Sequence, residues 1–344
     1  MLYFDSDYME GAHPKILERL MDTNMEKTPG YGTDSYCSRA GDMIRRACGC
    51  PEARVYFMVG GTQTNAAVID GLLKSWQGVV CAKSGHINTH EAGAIEHSGH
   101  KVISLKEKDG KLDPDCLETY LEKFFQDENR EHMTEPGAVY ISHPTEYGTL
   151  YTAGELRRLH EICGRYHLPL YLDGARLGYG LAAETDVTLP LIGECCDVFY
   201  IGGTKVGALF GEAVVVTNED LLKRFFTIMK QHGGLLAKGR ILGIQFEQLF
   251  TDDLYLTIAK NAVKLAQKIQ TALKNAGYPL KIQSPTNQIF VTLPDEKKKA
   301  LEREVSFSFW EKEDEAHTTV RFATSWATRE EDVDRLIRLL ETDD

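Results

Sequence analysis

The chain has 344 residues, 42% of them hydrophobic, which suffices for one large core and a second, smaller one. With 51 acidic against 39 basic residues the net charge is −12, which opposes nucleic-acid binding and leaves only local basic pockets for anions. No apolar run is long enough to span a membrane, and the start MLYFDSDYMEG lacks the basic and apolar stretches of a secretory leader, so a cytoplasmic location is expected. The eight cysteines, Cys48, Cys50, Cys195 and Cys196 among them, match no zinc spacing and read as reduced thiols, so no metal is expected.

Short apolar runs predict strands at Arg54–Val59, Val79–Lys83, Lys101–Leu105, Ala138–His143, Pro169–Asp173, Val198–Gly202 and Glu212–Thr217. Helical patterns at Asn65–Trp76, Pro114–Phe125 and Ala153–His167 fall between them. Strands alternating with helices predict an α/β fold whose mostly parallel seven-stranded sheet is covered on both faces. The turn before Ala213–Val216 is too short for a crossover helix, so this strand is expected to run antiparallel to its neighbour. Beyond residue 218 come long helices, then strands at Gln288–Leu293, Val305–Trp310 and Thr318–Thr324, then a helix over Glu330–Leu340. The expected division is an N-terminal segment over 1–25 that contributes to the active site and interface, a large α/β domain over 26–245 and a small C-terminal α+β domain over 246–344. The run Glu296–Glu304 reads as a solvated helix face.

Open parallel sheets bind ligands beyond the carboxyl ends of their strands, so the residues after each strand are the candidates. After the first comes Gly60-Gly61-Thr62-Gln63-Thr64-Asn65, which opens a helix; it is either an anion site or a plain glycine turn. After Pro169–Leu172 comes Asp173-Gly174-Ala175-Arg176. Asp173 either caps a helix or faces a pyridinium nitrogen, and Arg176 is placed to reach a carboxylate with both edges of its fork. After Val198–Gly202 comes Gly203-Thr204-Lys205-Val206-Gly207-Ala208, where Lys205 is either a surface lysine or a Schiff-base amine.

Lys205 follows Asp173 by 32 residues. A phosphate loop, Asp-x-x-Arg and a lysine in this order resemble the fold-type I enzymes of pyridoxal phosphate (PLP), and more closely the threonine aldolase branch of the β-eliminating lyase family. Ser6-Asp7, Tyr31-Gly32-Thr33-Asp34, Gly61-Thr62-Gln63-Thr64-Asn65, His86 with Glu91-Ala92-Gly93, Asp173-Gly174-Ala175-Arg176 and Val320-Arg321-Phe322-Ala323-Thr324 all resemble that family's segments. The likeness runs along nearly the whole chain. It implies that Lys205 holds PLP as a Schiff base, Asp173 pairs with the pyridinium, Gly61 and Thr62 bind the phosphate, and His86 stacks on the ring. Arg176, Arg321 and Ser6 then bind the amino-acid carboxylate, with Arg176 also counted among the cofactor's neighbours. Tyr31 joins the substrate site of a neighbouring subunit in a homo-oligomer, a dimer or dimer of dimers with shared sites.

Departures from the family pattern mark the open points. Glu146, in Pro144-Thr145-Glu146-Tyr147-Gly148, stands where many relatives have a substrate-contacting His, so Glu146 and His86 are rival candidates for the base. A Gly-Gly-Gly-Met-Arg segment is replaced by Gly233-Gly234-Leu235-Leu236-Ala237-Lys238, and Lys238 is the candidate for the lost phosphate contact. The implied reaction is cleavage of threonine or allo-threonine to glycine and an aldehyde. The alternatives are β-elimination, dehydration or transamination on the same scaffold, and, more distantly, a non-enzymatic PLP-binding regulator.

Overall fold

Seven strands form the large sheet: β1 (Arg54–Met58), β2 (Gln77–Ala82), β3 (Lys101–Leu105), β4 (Glu135–Ser142), β5 (Leu170–Asp173), β6 (Val198–Gly202) and β7 (Glu212–Val216). The computed structural model describes residues 1–342, so the last two residues of the expected small domain, 343–344, lie outside the described residues. The sheet order is β1-β7-β6-β5-β4-β2-β3. Only β7 runs against its neighbours, antiparallel to both β1 and β6, as the short turn requires.

Every residue of β5, β6 and β7 is buried, which fits strands covered on both faces. The alternation along β6 sorts its side chains. Phe199 and Ile201 join one apolar layer with Ile44, Leu159 and Phe246, while Val198 and Tyr200 join the other with Val68, Ile69, Phe225 and Met229. The helix Gly61–Leu72 and the short helix Phe225–Gln231 cover this second face. Two devices recur at helix starts. Asp113 caps Pro114–Gln126, accepting from the amides of Asp115 and Cys116, and Thr152 forms a reciprocal box with Glu155 at Ala153–Arg165.

The long helix Leu254–Asn275 links two cores. Its first half, with Ile258, Ala262 and Val263, packs under the large sheet. Its second half, with Leu265, Ile269 and Leu273, joins a third cluster beneath an antiparallel sheet of Leu280–Ile282, Gln288–Pro294, His317–Ala323 and Ser308–Lys312, in that order. The helix Glu330–Glu341 closes this cluster. The expected strand Val305–Trp310 is two pieces with different partners. Ser308–Lys312 pairs with His317–Ala323, whereas Val305–Ser306 pairs in parallel with Leu2–Tyr3. The N-terminal segment is thereby part of the small core: Leu2 and Phe4 are buried in it, and Phe4 meets Phe322 edge to face at 6.4 Å.

Candidate active site

Two adjoining cavities, of about 170 and 440 Å³, open at the carboxyl ends of β1, β4, β5 and β6 and share His86, Glu146, Arg176 and Lys205. The smaller is further lined by Gly61, Thr62, Asp173, Thr204 and Glu212, the larger by Tyr8, His90, Trp310 and Arg321.

Asp173, the last residue of β5, lies at the foot of the smaller cavity, and four donors converge on its carboxylate. Oδ1 accepts from the Ala175 amide at 3.0 Å and from the Tyr200 hydroxyl, Oδ2 from the Tyr140 hydroxyl at 2.7 Å and from Asn65 Nδ2 at 2.9 Å. Burial alone would raise its pKa. The positive charge of His86 and the hydrogen bonds from Tyr200, Tyr140 and Asn65 outweigh burial, so the carboxyl is held below its ordinary value and stays ionised.

Asn65 ties this anion to the far wall. The same Nδ2 also donates to Glu91 Oε1 at 2.7 Å, Asn65 Oδ1 accepts from the Tyr171 hydroxyl at 2.7 Å, and Glu91 Oε1 meets His86 Nδ1 at 2.7 Å. Burial would lower the His86 pKa, but the hydrogen bond to Glu91 and the charges of Glu146 and Asp173 raise it overall. Glu91 is itself raised by burial, which its contacts with His86 and Asn65 only partly offset. His86 stacks on His90, with ring centroids 5.8 Å apart, and His90 stacks on Trp310 at 6.4 Å, so one wall of the larger cavity is aromatic.

Lys205 follows β6 through Gly203, where an added Cβ would stand 2.8 Å from the Gly211 carbonyl oxygen, so the turn demands glycine. Its Nζ is 5.9 Å from the Tyr8 ring centroid and forms no ion pair among the described residues. Burial and the nearby Arg176 lower its pKa against the opposing pull of Asp7, Glu146 and Asp173. This favours the neutral amine that attacks a carbonyl.

Gly61 begins a helix whose cap residue, Gly60, offers no side-chain acceptor, so the first amides remain free for an anion beside Thr62. Glu146 lies on the segment after β4, and its Oε1 accepts from Ser142 Oγ at 3.3 Å. Arg321, on His317–Ala323, donates to the Asp5 carbonyl at 2.9 Å and to Gln288 Oε1 at 3.2 Å, while its buried Nε has no partner.

Arg176 departs from the expectation of a free carboxylate clamp. Its Nε and Nη2 grip both oxygens of buried Asp7, at 2.7 and 3.1 Å, and Asn287 Nδ2 donates to the same Asp7 at 2.9 Å. Ser6 is half-buried beside Asp7. Tyr31 and Lys238 are not brought to Lys205 within one chain. Tyr31 lines a different cavity with Phe226 and Met229, and Lys238 is exposed.

Sequence reasoning passed over Tyr140, Tyr171, Tyr200 and Glu212. The tyrosines sit in apolar runs and read as core; the only signal was a hydroxyl on strands that lead to Asp173. Among the described residues no cluster of His, Cys, Asp and Glu could hold a metal ion, and no helix is long and apolar enough to cross a membrane.

Together the two cavities offer the ionised Asp173 carboxylate and the free amides at Gly61 in the smaller, the orphan Arg321 donor in the larger and the unpaired Lys205 amine between them, a donor set that fits PLP and an amino acid. Comparisons with known proteins agree. The family model described as beta-eliminating lyase matches residues 4–296. The low specificity L-threonine aldolase of Pseudomonas aeruginosa is 30% identical over 97% of this chain and 96% of its own. The solved threonine aldolase of Leishmania major is 39% identical with a TM-score of 0.96, covering 99% of each chain. N-succinyldiaminopimelate aminotransferase of Mycobacterium tuberculosis, 19% identical with a TM-score of 0.73 over 98% of this chain and 92% of its own, shares the fold-type I architecture.

Proposed function

The chain belongs to the beta-eliminating lyase family, in which PLP dependence is a family property, and from that premise we propose that it is a PLP-dependent aldolase cleaving threonine or allo-threonine to glycine and acetaldehyde. The observation that carries this reading is the ionised Asp173 under four donors in the same cavity as the unpaired Lys205 amine. PLP, when bound, supplies an electron sink for the pair left at Cα.

The chain's residues do the rest. Lys205, its pKa lowered by burial, would hold the cofactor through its amine. Asp173 stabilises a proton on the pyridine nitrogen. Gly61 and Thr62 offer the phosphate free amides and a hydroxyl. Arg321 turns its orphan Nε to the substrate carboxylate, while Arg176, already neutralised by Asp7, sets the border of that site through the one nitrogen that Asp7 leaves free. Ser6 lies beside this border. Glu146, which lines both cavities, takes the β-hydroxyl proton as the Cα–Cβ bond breaks and acetaldehyde departs, and a proton returned to Cα completes glycine. His86, tied to Glu91, holds its ring against the cofactor and is the alternative base. Tyr31 and Lys238 complete a neighbour's site in a homo-oligomer; their place outside the pocket of their own chain supports this.

Incubation with threonine tests the reaction. Glycine and acetaldehyde in equal amounts are expected. A 2-oxo acid would instead assign elimination, dehydration or transamination.

A further inference from the structure

The reaction above uses every charged side chain lining the smaller cavity except Glu212. This residue is 3% exposed and begins β7, paired with Met58 of β1 on one side and Gly202 of β6 on the other. That register sets it between the Gly60–Thr62 turn and the Gly203–Lys205 turn. Its Oε2 accepts from the Gly203 amide at 3.1 Å and its Oε1 from the Thr204 hydroxyl at 2.8 Å, while Thr204 Oγ accepts from the Gly211 amide at 2.9 Å. It forms no ion pair among the described residues.

Charge is unevenly placed around this cavity. Of its cationic side chains, Arg176 is committed to Asp7, His86 to Glu91, and Lys205 to the cofactor. Among the described residues, the end made by Gly61, Thr62, Thr204 and Glu212 therefore has one buried carboxyl and no cation from its own chain beyond Lys205, the Lys238 proposed for the phosphate coming from a neighbouring subunit. The groups that face Glu212 are Lys205 from the turn after β6, Asp173 and Tyr171 from β5, Tyr200 from β6 and Tyr255 from the long helix. Only Lys205 among them is a cation, and the helix Gly61–Leu72 adds only the hydroxyl of Thr62 at this end. A phosphate dianion next to an ionised carboxylate, away from water, is strongly disfavoured.

We propose that Glu212 is a cofactor-binding residue that meets the phosphate ester as a neutral carboxyl, donating its O–H to it, and weakens its hold on the ester when it ionises. The proposal rests on the reading that this cavity takes PLP. Binding to the ionised form moves one proton from solvent to a Glu212 oxygen, and no covalent bond changes. Burial supports it by holding the Glu212 carboxyl up at about 8, which the Thr204 hydrogen bond and the Lys205 charge only partly oppose.

The test titrates the full-length protein, freed of cofactor, with PLP and with pyridoxal, which lacks the ester, between pH ~7 and ~9.5. The second ionisation of a phosphate ester lies near pH ~6, so its own charge is constant in this range. In wild type the advantage of PLP over pyridoxal should hold steady to about pH 8 and then fall about tenfold per pH unit; in Glu212→Gln it should stay flat. Calorimetry of wild type in buffers of different ionisation enthalpy should show PLP taking up close to one proton more than pyridoxal at pH ~9, and none more at pH ~7. This second measurement decides alone should the variant fail to fold. Equal pH profiles in the two proteins, or no extra proton, would overturn the proposal. So would a Glu212→Gln effect of the same size on pyridoxal, which would place the action of Glu212 on Lys205. If neither compound binds, the cofactor reading itself fails, and this inference with it.

Discussion

Arg176 and Asp7 stand 169 residues apart in sequence, yet both edges of the guanidinium grip both oxygens of the carboxylate, at 2.7 and 3.1 Å, with neither side chain open to solvent. The pair bolts the N-terminal segment to the wall that the two cavities share. Burial would raise the Asp7 pKa, but Arg176, Lys205 and the hydrogen bonds hold it at about 2. The folded value lies below the ordinary 3.8, so Asp7 stabilises the fold above about pH 4, and this contribution is lost as pH falls through about 2. Asp7→Ala leaves a buried arginine unpaired and should cost about 3–5 kcal/mol in urea unfolding at pH ~7. Asp7→Asn should cost less and flatten the pH dependence of stability between about 4 and 2.

Lys205 should be the one residue that binds the cofactor covalently. The purified protein should be yellow, borohydride should fix the label on Lys205, and Lys205→Ala should lose both the label and nearly all turnover. Peptide mapping that found the label on Lys230 or Lys238 would refute the assignment.

Glu146 and His86 both border the two cavities, and mutation separates them. Removal of a general base costs ~10²–10⁴-fold. Glu146→Gln should therefore lower kcat for threonine by that order while the visible band of bound cofactor persists. A near-normal kcat would remove Glu146 from proton transfer and leave His86, whose raised pKa would then appear as an acid limb in the kcat profile.

Tyr31 bears on assembly. Its ring lies outside the pocket of its own chain, under the Lys230 ammonium at 4.5 Å. Tyr31→Ala and Lys205→Ala, each weak or inactive alone, should recover roughly a quarter of wild-type activity when unfolded and refolded together. About half of randomly paired dimers are mixed, and each of those has one intact site. No recovery, with mixed dimers confirmed by mass, would place Tyr31 in the site of its own chain.

Much of this was legible in the sequence because strand ends announce themselves. Asp173 and Lys205 each terminate an apolar run, and β6 fell at Val198–Gly202 as read. What sequence could not show depends on side-chain direction and distant pairing. Tyr140, Tyr171 and Tyr200 have the same alternation as the valines beside them, and nothing local says that their hydroxyls converge on Asp173 and Asn65. The engagement of Arg176 by Asp7 needed the fold of the small domain, because Asn287 and the strand at Val305–Ser306 set the path of the N-terminal segment. Glu212 read as the plain start of a strand; its burial follows from β7 lying between β1 and β6.

Leu2–Tyr3 has its strand partner at Val305–Ser306, and the Phe4 carbonyl accepts from the Ala323 amide at 2.9 Å. A chain made on the ribosome emerges in the opposite order: the first seven residues appear early and the residues that hold them appear last. Until then Leu2 and Phe4 have no core to enter, and Asp7 is absent from Arg176. The large sheet has all its strands by residue 216 and its covering helices, with Phe246, Ile258 and Val263, by about residue 263, so its core can close while the larger cavity is still unbuilt. Synthesis itself thus delivers the last residue that lines the smaller cavity, Glu212, well before Ser308, Trp310 and Arg321 complete the larger one.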